Sequence, residues 1–281
     1  MEKGKLNKKL GMITMISIAA GAVIGGWLAE SPYWFSLTGP GAAIIFPVLA
    51  ILLIPVGLAF AEMAAMLPFT SSVAVWTANA TNHKLGWIVQ WLMFLIQIVE
   101  PPLCAFILTT ALGFFIEFTA MQTMLIAIAL CVIWYVVSNF NISISGTLSN
   151  IFFFAMVALS ICVIVLFFTS KNWSMDNISG RGGWFPGGGY GLFVATGVLT
   201  LKFIGFEMTP TMIEEINFPA KKMWKVILAA LFIPAVLYAL AVGARETDLD
   251  LLLELRPLKV LPTYAVIPTF EPLRVALAAA R

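Results

Sequence analysis

The chain has 281 residues, of which 61% are hydrophobic and 11% charged, with a formal net charge of +2 at pH 7. That charge is too small to argue for a nucleic-acid partner, and several uncharged apolar runs exceed the roughly 18 residues that mark a membrane-spanning helix. Composition therefore predicts an all-α integral membrane protein whose surroundings are a lipid bilayer. One histidine, His83, and three widely spaced cysteines, Cys104, Cys131 and Cys162, predict no metal site, no cofactor and no disulfide framework, and the cysteines read as buried thiols.

The N-terminal "MEKGKLNKKLG" is basic but is followed by no small-residue cleavage site, and it reads as an uncleaved cytoplasmic leader. Seven spans follow, at about Gly11–Trp34, Gly41–Leu67, Leu85–Phe118, Met121–Ser138, Leu148–Phe168, Gly191–Met212 and Met223–Gly243. Lys3, Lys5, Lys8, Lys9, Lys84, Lys221, Lys222 and Lys225 then fall on one side, against Lys171 and Arg181 on the other. By the positive-inside rule the N-terminus is cytoplasmic, as expected of a protein of the plasma membrane. The loop "GRGGWFPGGGYG" is external under this topology; no GKS or GKT follows it, so it reads as a flexible connector and not as a phosphate cradle.

Span one contains "SIAAGAVIGGWLAE", with Gly21, Gly25 and Gly26 in its middle. Each glycine costs a helix interior about 1 kcal/mol relative to alanine, so either close helix packing through Gly21 and Gly25 or a deliberate break must offset them. Glu62, Glu100, Lys202 and Glu207 all fall within spans, where an ionised group must be paired or face water. Glu62 lies near the cytoplasmic end and is within reach of the interface, whereas Glu100, in "QIVEPPLC", is at mid-depth beside two prolines that free the carbonyls of Gln97 and Ile98. Span six repeats the irregularity of span one, with a lysine, a glycine, a glutamate and a proline between Lys202 and Pro210. Two broken spans in corresponding positions of two halves are the mark of an inverted-repeat transporter, which favours breakage in span one as well.

On these residues the chain resembles the amino acid-polyamine-organocation superfamily of permeases over about residues 10 to 243. The resemblance rests on "GAVIGGWL" in span one, "GLAFAEMAAMLP" closing span two, "LGWIVQWLMF" in span three and "FIGFEMTPTMIEEINFPAKKMWKVI" from span six onwards. It implies a leucine-transporter-type inverted-repeat fold, here incomplete at about seven transmembrane helices, with helices one and six discontinuous. It further implies an amino acid substrate bound at the two breaks, by Gly21, Ile24, Gly25, Gly26 and Trp27 in span one and by Lys202, Phe203, Gly205 and Phe206 in span six. The half-helix beginning near Gly26 would offer free N–H groups to a carboxylate, and the half-helix ends before Gly25 and near Lys202 to Ile204 would offer carbonyls to an ammonium group. Glu100, Lys202 and Glu207 are the gating or coupling candidates, with coupling to protons or to an exchanged amino acid.

Three features depart from the family pattern. Gly25 and Gly26 are adjacent where relatives separate their last two glycines, span five carries no lysine, and Lys202 stands where relatives place small polar or aromatic residues. Beyond Gly243 the composition shifts abruptly: residues 244 to 281 hold ten charged residues, four of the five arginines and no glycine. Residues 1–243 thus read as a partial permease domain, truncated after the seventh helix, and 244–281 as a non-family tail from a shifted frame or truncated end. The expected function is secondary active transport of amino acids by alternating access. The alternative is a non-transporting fragment, inert or associated with a full-length relative. No nucleophile, base and orienting group come together in the sequence, so an enzyme is not expected.

Overall fold

The computed structural model describes residues 9–24, 39–113, 116–140, 142–169, 183–185 and 188–241. They form α1 (Met12–Ile24), α2 (Ala42–Met66) behind a 3-10 turn at Gly39–Gly41, α3 (Val73–Ala80), α4 (His83–Leu112), α5 (Ala120–Phe140) and α6 (Ile142–Thr169). There follow α7 (Gly188–Thr200), three 3-10 pieces at Leu201–Phe203, Phe206–Met212 and Ala220–Lys222, and α8 (Met223–Ala241). Among the described residues, six stretches are long and apolar enough to cross a membrane: Gly39–Met66, His83–Thr110, Ala120–Val137, Ser143–Leu166, Gly188–Met212 and Ala220–Leu240. The first expected span is described over the 13 residues of α1 alone. The architecture is all-helical, the membrane fold that the sequence predicts.

Segments that are apolar on every side cannot reveal which face meets protein, and packing decides it. The densest part joins α1, α2, α8 and the 3-10 segment after α7, with Ile24, Phe46, Phe203, Leu231 and Tyr238 all fully buried. α8 lies along α2, and the close approach requires Gly57, because a Cβ there would come within 2.7 Å of the Ile227 side chain. α1 packs between α6 and α8 and meets the Phe206–Met212 segment. α4, α5 and α6 follow one another as neighbours, with outward residues such as Trp87, Leu92 and Ile133 exposed, as lipid-facing helices require.

The cysteines correct one expectation. Cys104 and Cys162 are exposed and face outward from the bundle, whereas Cys131 is half-buried, its Sγ 3.8 Å from the Pro101 carbonyl oxygen of α4. Sequence alone cannot distinguish an apolar position that meets lipid from one that meets protein.

Loops are more structured than their composition suggests. α3, unforeseen because eight residues fall far below a spanning length, is anchored by Trp76, whose indole N–H donates to the Leu67 carbonyl at 3.2 Å. The glycine-rich loop is not a free connector where it is described: the Trp184 carbonyl accepts the Gly41 N–H at 2.7 Å, tying the loop to the start of α2. At the opposite end the main chain of Leu10 pairs with the segment after span six. Its N–H donates to the Glu215 carbonyl at 3.0 Å and its carbonyl accepts the Asn217 N–H at 2.9 Å. The Glu214 carboxylate accepts the Thr70 N–H at 3.1 Å, joining the loop after α2 to the same segment. Burial, and then the neighbouring Glu214, raise the Glu215 carboxyl above its ordinary 4.5. Its neutral form is thus favoured in the folded state, and this linkage weakens the clamp as pH rises through the interval between the ordinary and the raised values.

Candidate functional site

The interruption in span six is explicit in the backbone. α7 ends at Thr200, Leu201–Phe203 tightens into a 3-10 turn, Ile204 is extended (φ −60°, ψ 133°), and Gly205 takes φ 133° before a new 3-10 segment begins at Phe206. An L side chain rarely adopts that φ, which explains the glycine. Its lack of a side chain also brings two spans together. A Cβ on Gly205 would lie 2.9 Å from the Ala22 Cβ and 3.4 Å from the Val23 nitrogen, so the break in span six presses on the last described turn of α1.

Glu207 caps the resumed segment: its Oε2 accepts the Gly205 N–H at 2.8 Å. A carboxylate that reaches back two residues to the N-cap N–H satisfies that donor and complements the positive end of the turn. Glu207→Ala is expected to lower the stability of the chain by about 1–2 kcal/mol, and Glu207→Gln, which keeps an acceptor oxygen, by less than half of that. Thermal unfolding of the two variants in detergent checks the difference. Equal losses would show that the hydrogen bond to Gly205 does not matter.

Of the other expected site residues, Ile24 is buried at the end of α1, and Lys202 is half-buried on the 3-10 turn. Gly21 lies inside the continuous helix α1, where a Cβ would be 3.7 Å from the Phe153 ring of α6. Span one is thus helical through Gly21, which lies in ordinary van der Waals contact with α6. Gly25, Gly26 and Trp27 lie outside the described residues.

Phe203 and Phe206 are 1% and 6% exposed and are held by aromatic contacts with span two. Phe203 meets Phe46 edge-on at 6.3 Å between ring centroids, and Phe206 meets Phe60 in the same manner at 6.0 Å. Both rings thus fasten the break to α2. Glu100 is exposed on α4, yet Gln97, nearly one turn earlier, donates from Nε2 to the Met208 sulfur beside Glu207. The middle of span three therefore lies against the resumed half of span six, with Glu100 and Glu207 on elements that touch.

Two residues of the site escaped sequence reasoning. Tyr238 of α8 is 1% exposed, its hydroxyl donates to the Val23 carbonyl, and its ring lies 4.7 Å from that of Phe46. A lone tyrosine in the aliphatic run "LFIPAVLYALA" was the available signal, since a buried phenol needs an acceptor. Phe46 had none, because it is one apolar residue in an apolar run.

Apolar helices long enough to span a bilayer, one of them interrupted at a break that abuts the last described turn of α1, define an integral membrane protein. The family profile described as amino acid permease matches residues 10–244, and the chain belongs to that family. It is similar to the branched-chain amino acid permease BcaP of Bacillus subtilis, at 25% identity over 83% of this chain and 53% of that protein. It is also similar to the vacuolar cationic amino acid transporter 4 of Arabidopsis thaliana, at 23% identity over 84% and 42%. The gamma-aminobutyric acid permease of Bacillus subtilis is 22% identical over 79% and 48%. The chain thus spans about half the length of the curated relatives it matches. No solved structure matches it.

Proposed function

We propose that the chain carries the substrate site of an amino acid permease of the plasma membrane, which works by alternating access with its N-terminus in the cytoplasm. One observation carries this reading: the Phe203–Phe206 break, where span six is interrupted, rests on the last described turn of α1 within the membrane bundle. Helix ends hold N–H and carbonyl groups without partners in their own helix, and in a bilayer such groups are tolerated where they line a site. Carbonyls near Lys202 to Ile204 and at the end of α1 suit the substrate ammonium; N–H groups near Gly26 suit its carboxylate. The relatives named above act, by their names, on branched-chain, cationic and γ-amino acids, which share those two groups and differ elsewhere. Lys202, at the break, is placed to favour an acidic side chain or to act with Glu100 and Glu207 in coupling to protons or to an exchanged amino acid.

The test is thermal unfolding of the purified chain in detergent with L-leucine, L-aspartate, L-arginine and γ-aminobutyrate. Saturable stabilisation is expected, about 2.7 kcal/mol at a hundredfold excess over Kd, and the amino acid that gives it names the substrate class. A folded chain that no amino acid stabilises would sink the reading. Uptake into vesicles that requires a co-expressed full-length relative would favour the second form of the proposal, a chain that acts by association.

A further inference from the structure

We propose that Tyr238 is a positioning residue for the ammonium side of this site, an inference that rests on the amino acid site proposed above. A carbonyl inside a continuous helix already accepts the N–H four residues later. At Val23 a fully buried hydroxyl from a different span reaches that carbonyl, in the last described turn of α1. A carbonyl has two acceptor lone pairs, so this donor fixes that carbonyl, and with it the turn of α1 that meets the Gly205 break, against α8.

The placement of Tyr238 also ties the two helix ends together. Its ring is tilted at 45° against Phe46 of α2, and Phe46 meets Phe203, which forms part of the break in span six. One contact chain therefore runs from the last described turn of α1 through α8 and α2 to the break in span six. With the Val23 carbonyl held by Tyr238, the remaining carbonyls of the two ends face the substrate in a fixed relation. Tyr238 touches no substrate in this scheme. It acts on the ammonium group by setting the carbonyls that receive it.

The consequence is selective for one half of the substrate. Tyr238→Phe keeps the ring and its packing and removes only the hydroxyl. The test compares each amino acid with the α-hydroxy acid of the same side chain, L-leucine with 2-hydroxy-4-methylpentanoate and L-aspartate with malate. Kd values for the full chain are read from thermal-shift titrations. The amino acid that binds is expected to weaken about three- to tenfold in Tyr238→Phe, the span of one hydrogen bond, while its hydroxy analogue changes less than about twofold. A role in packing alone weakens both partners of the pair equally, and that result, or an unchanged ratio, overturns the inference while leaving the site itself intact. Absence of amino acid binding by the unaltered chain removes the site reading, and this inference with it. If Tyr238→Phe does not fold, Phe46→Leu loosens the tyrosine ring without removing the hydroxyl. The same discrimination is then expected to fall about two- to threefold, and an unchanged ratio again overturns the inference.

Discussion

Gly205→Ala is expected to abolish amino acid binding and to lower stability by about 2–4 kcal/mol, one part from a backbone angle that alanine resists and another from overpacking. The two parts have separate origins in the structure. The φ of 133° strains any L residue, and the added methyl would stand 2.9 Å from the Ala22 Cβ with backbone close behind it. Relief requires the break to move away from α1, which separates the two elements of the proposed site. A binding titration together with thermal unfolding checks both halves. Gly197→Ala is the control, since a Cβ at that helical position meets nothing within 4 Å. It is expected to leave binding unchanged and stability unchanged or slightly raised. Retained binding in Gly205→Ala would mean that the contact between the breaks is not the site.

Phe46→Ala is expected to produce the largest loss of stability among substitutions outside the interrupted segments, about 3 kcal/mol or more. Inside a membrane the gain from leaving water is absent, and what is lost is contact: the ring is fully buried and touches both Tyr238 and Phe203. Phe46→Leu is expected to recover most of that loss, because it refills much of the volume. The unfolding midpoints of the two variants decide the matter, and equal midpoints would show that the ring geometry is dispensable.

The legible parts of this molecule were those where the sequence violates what a membrane prefers. Lys202, Gly205, Glu207 and Pro210 are poor occupants of a continuous apolar helix, and the backbone is interrupted between Phe203 and Phe206, within that run. Span positions followed from apolar length, and for spans two to seven the observed ends fall within a few residues of expectation, except that α4 ends at Leu112 and α6 begins at Ile142; the expected end of span one lies outside the described residues. Illegible parts are those where an apolar residue does one of two jobs that look identical in sequence. Phe46 inside the bundle and Phe94 on its exposed surface sit in similar runs, and only packing tells them apart. The same ambiguity misplaced Cys104 and Cys162. At Gly21 a break and a packing face both call for a small residue, and α1 runs through it as a continuous helix. Main-chain pairing of Leu10 left no trace at all, since any residue can make it.

The bond between Tyr238 and Val23 joins residues 215 positions apart, and the bridge from Leu10 to Ile216 has nearly the same reach. At a synthesis rate of about 5–20 residues per second, the first helix waits roughly 10–40 s after its own emergence before α8 exists to receive it. During that interval a short apolar helix must be retained at the membrane by lipid or by the insertion machinery alone. Assembly of the site is therefore a late event, and any defect that slows insertion of the seventh span exposes the first one longest.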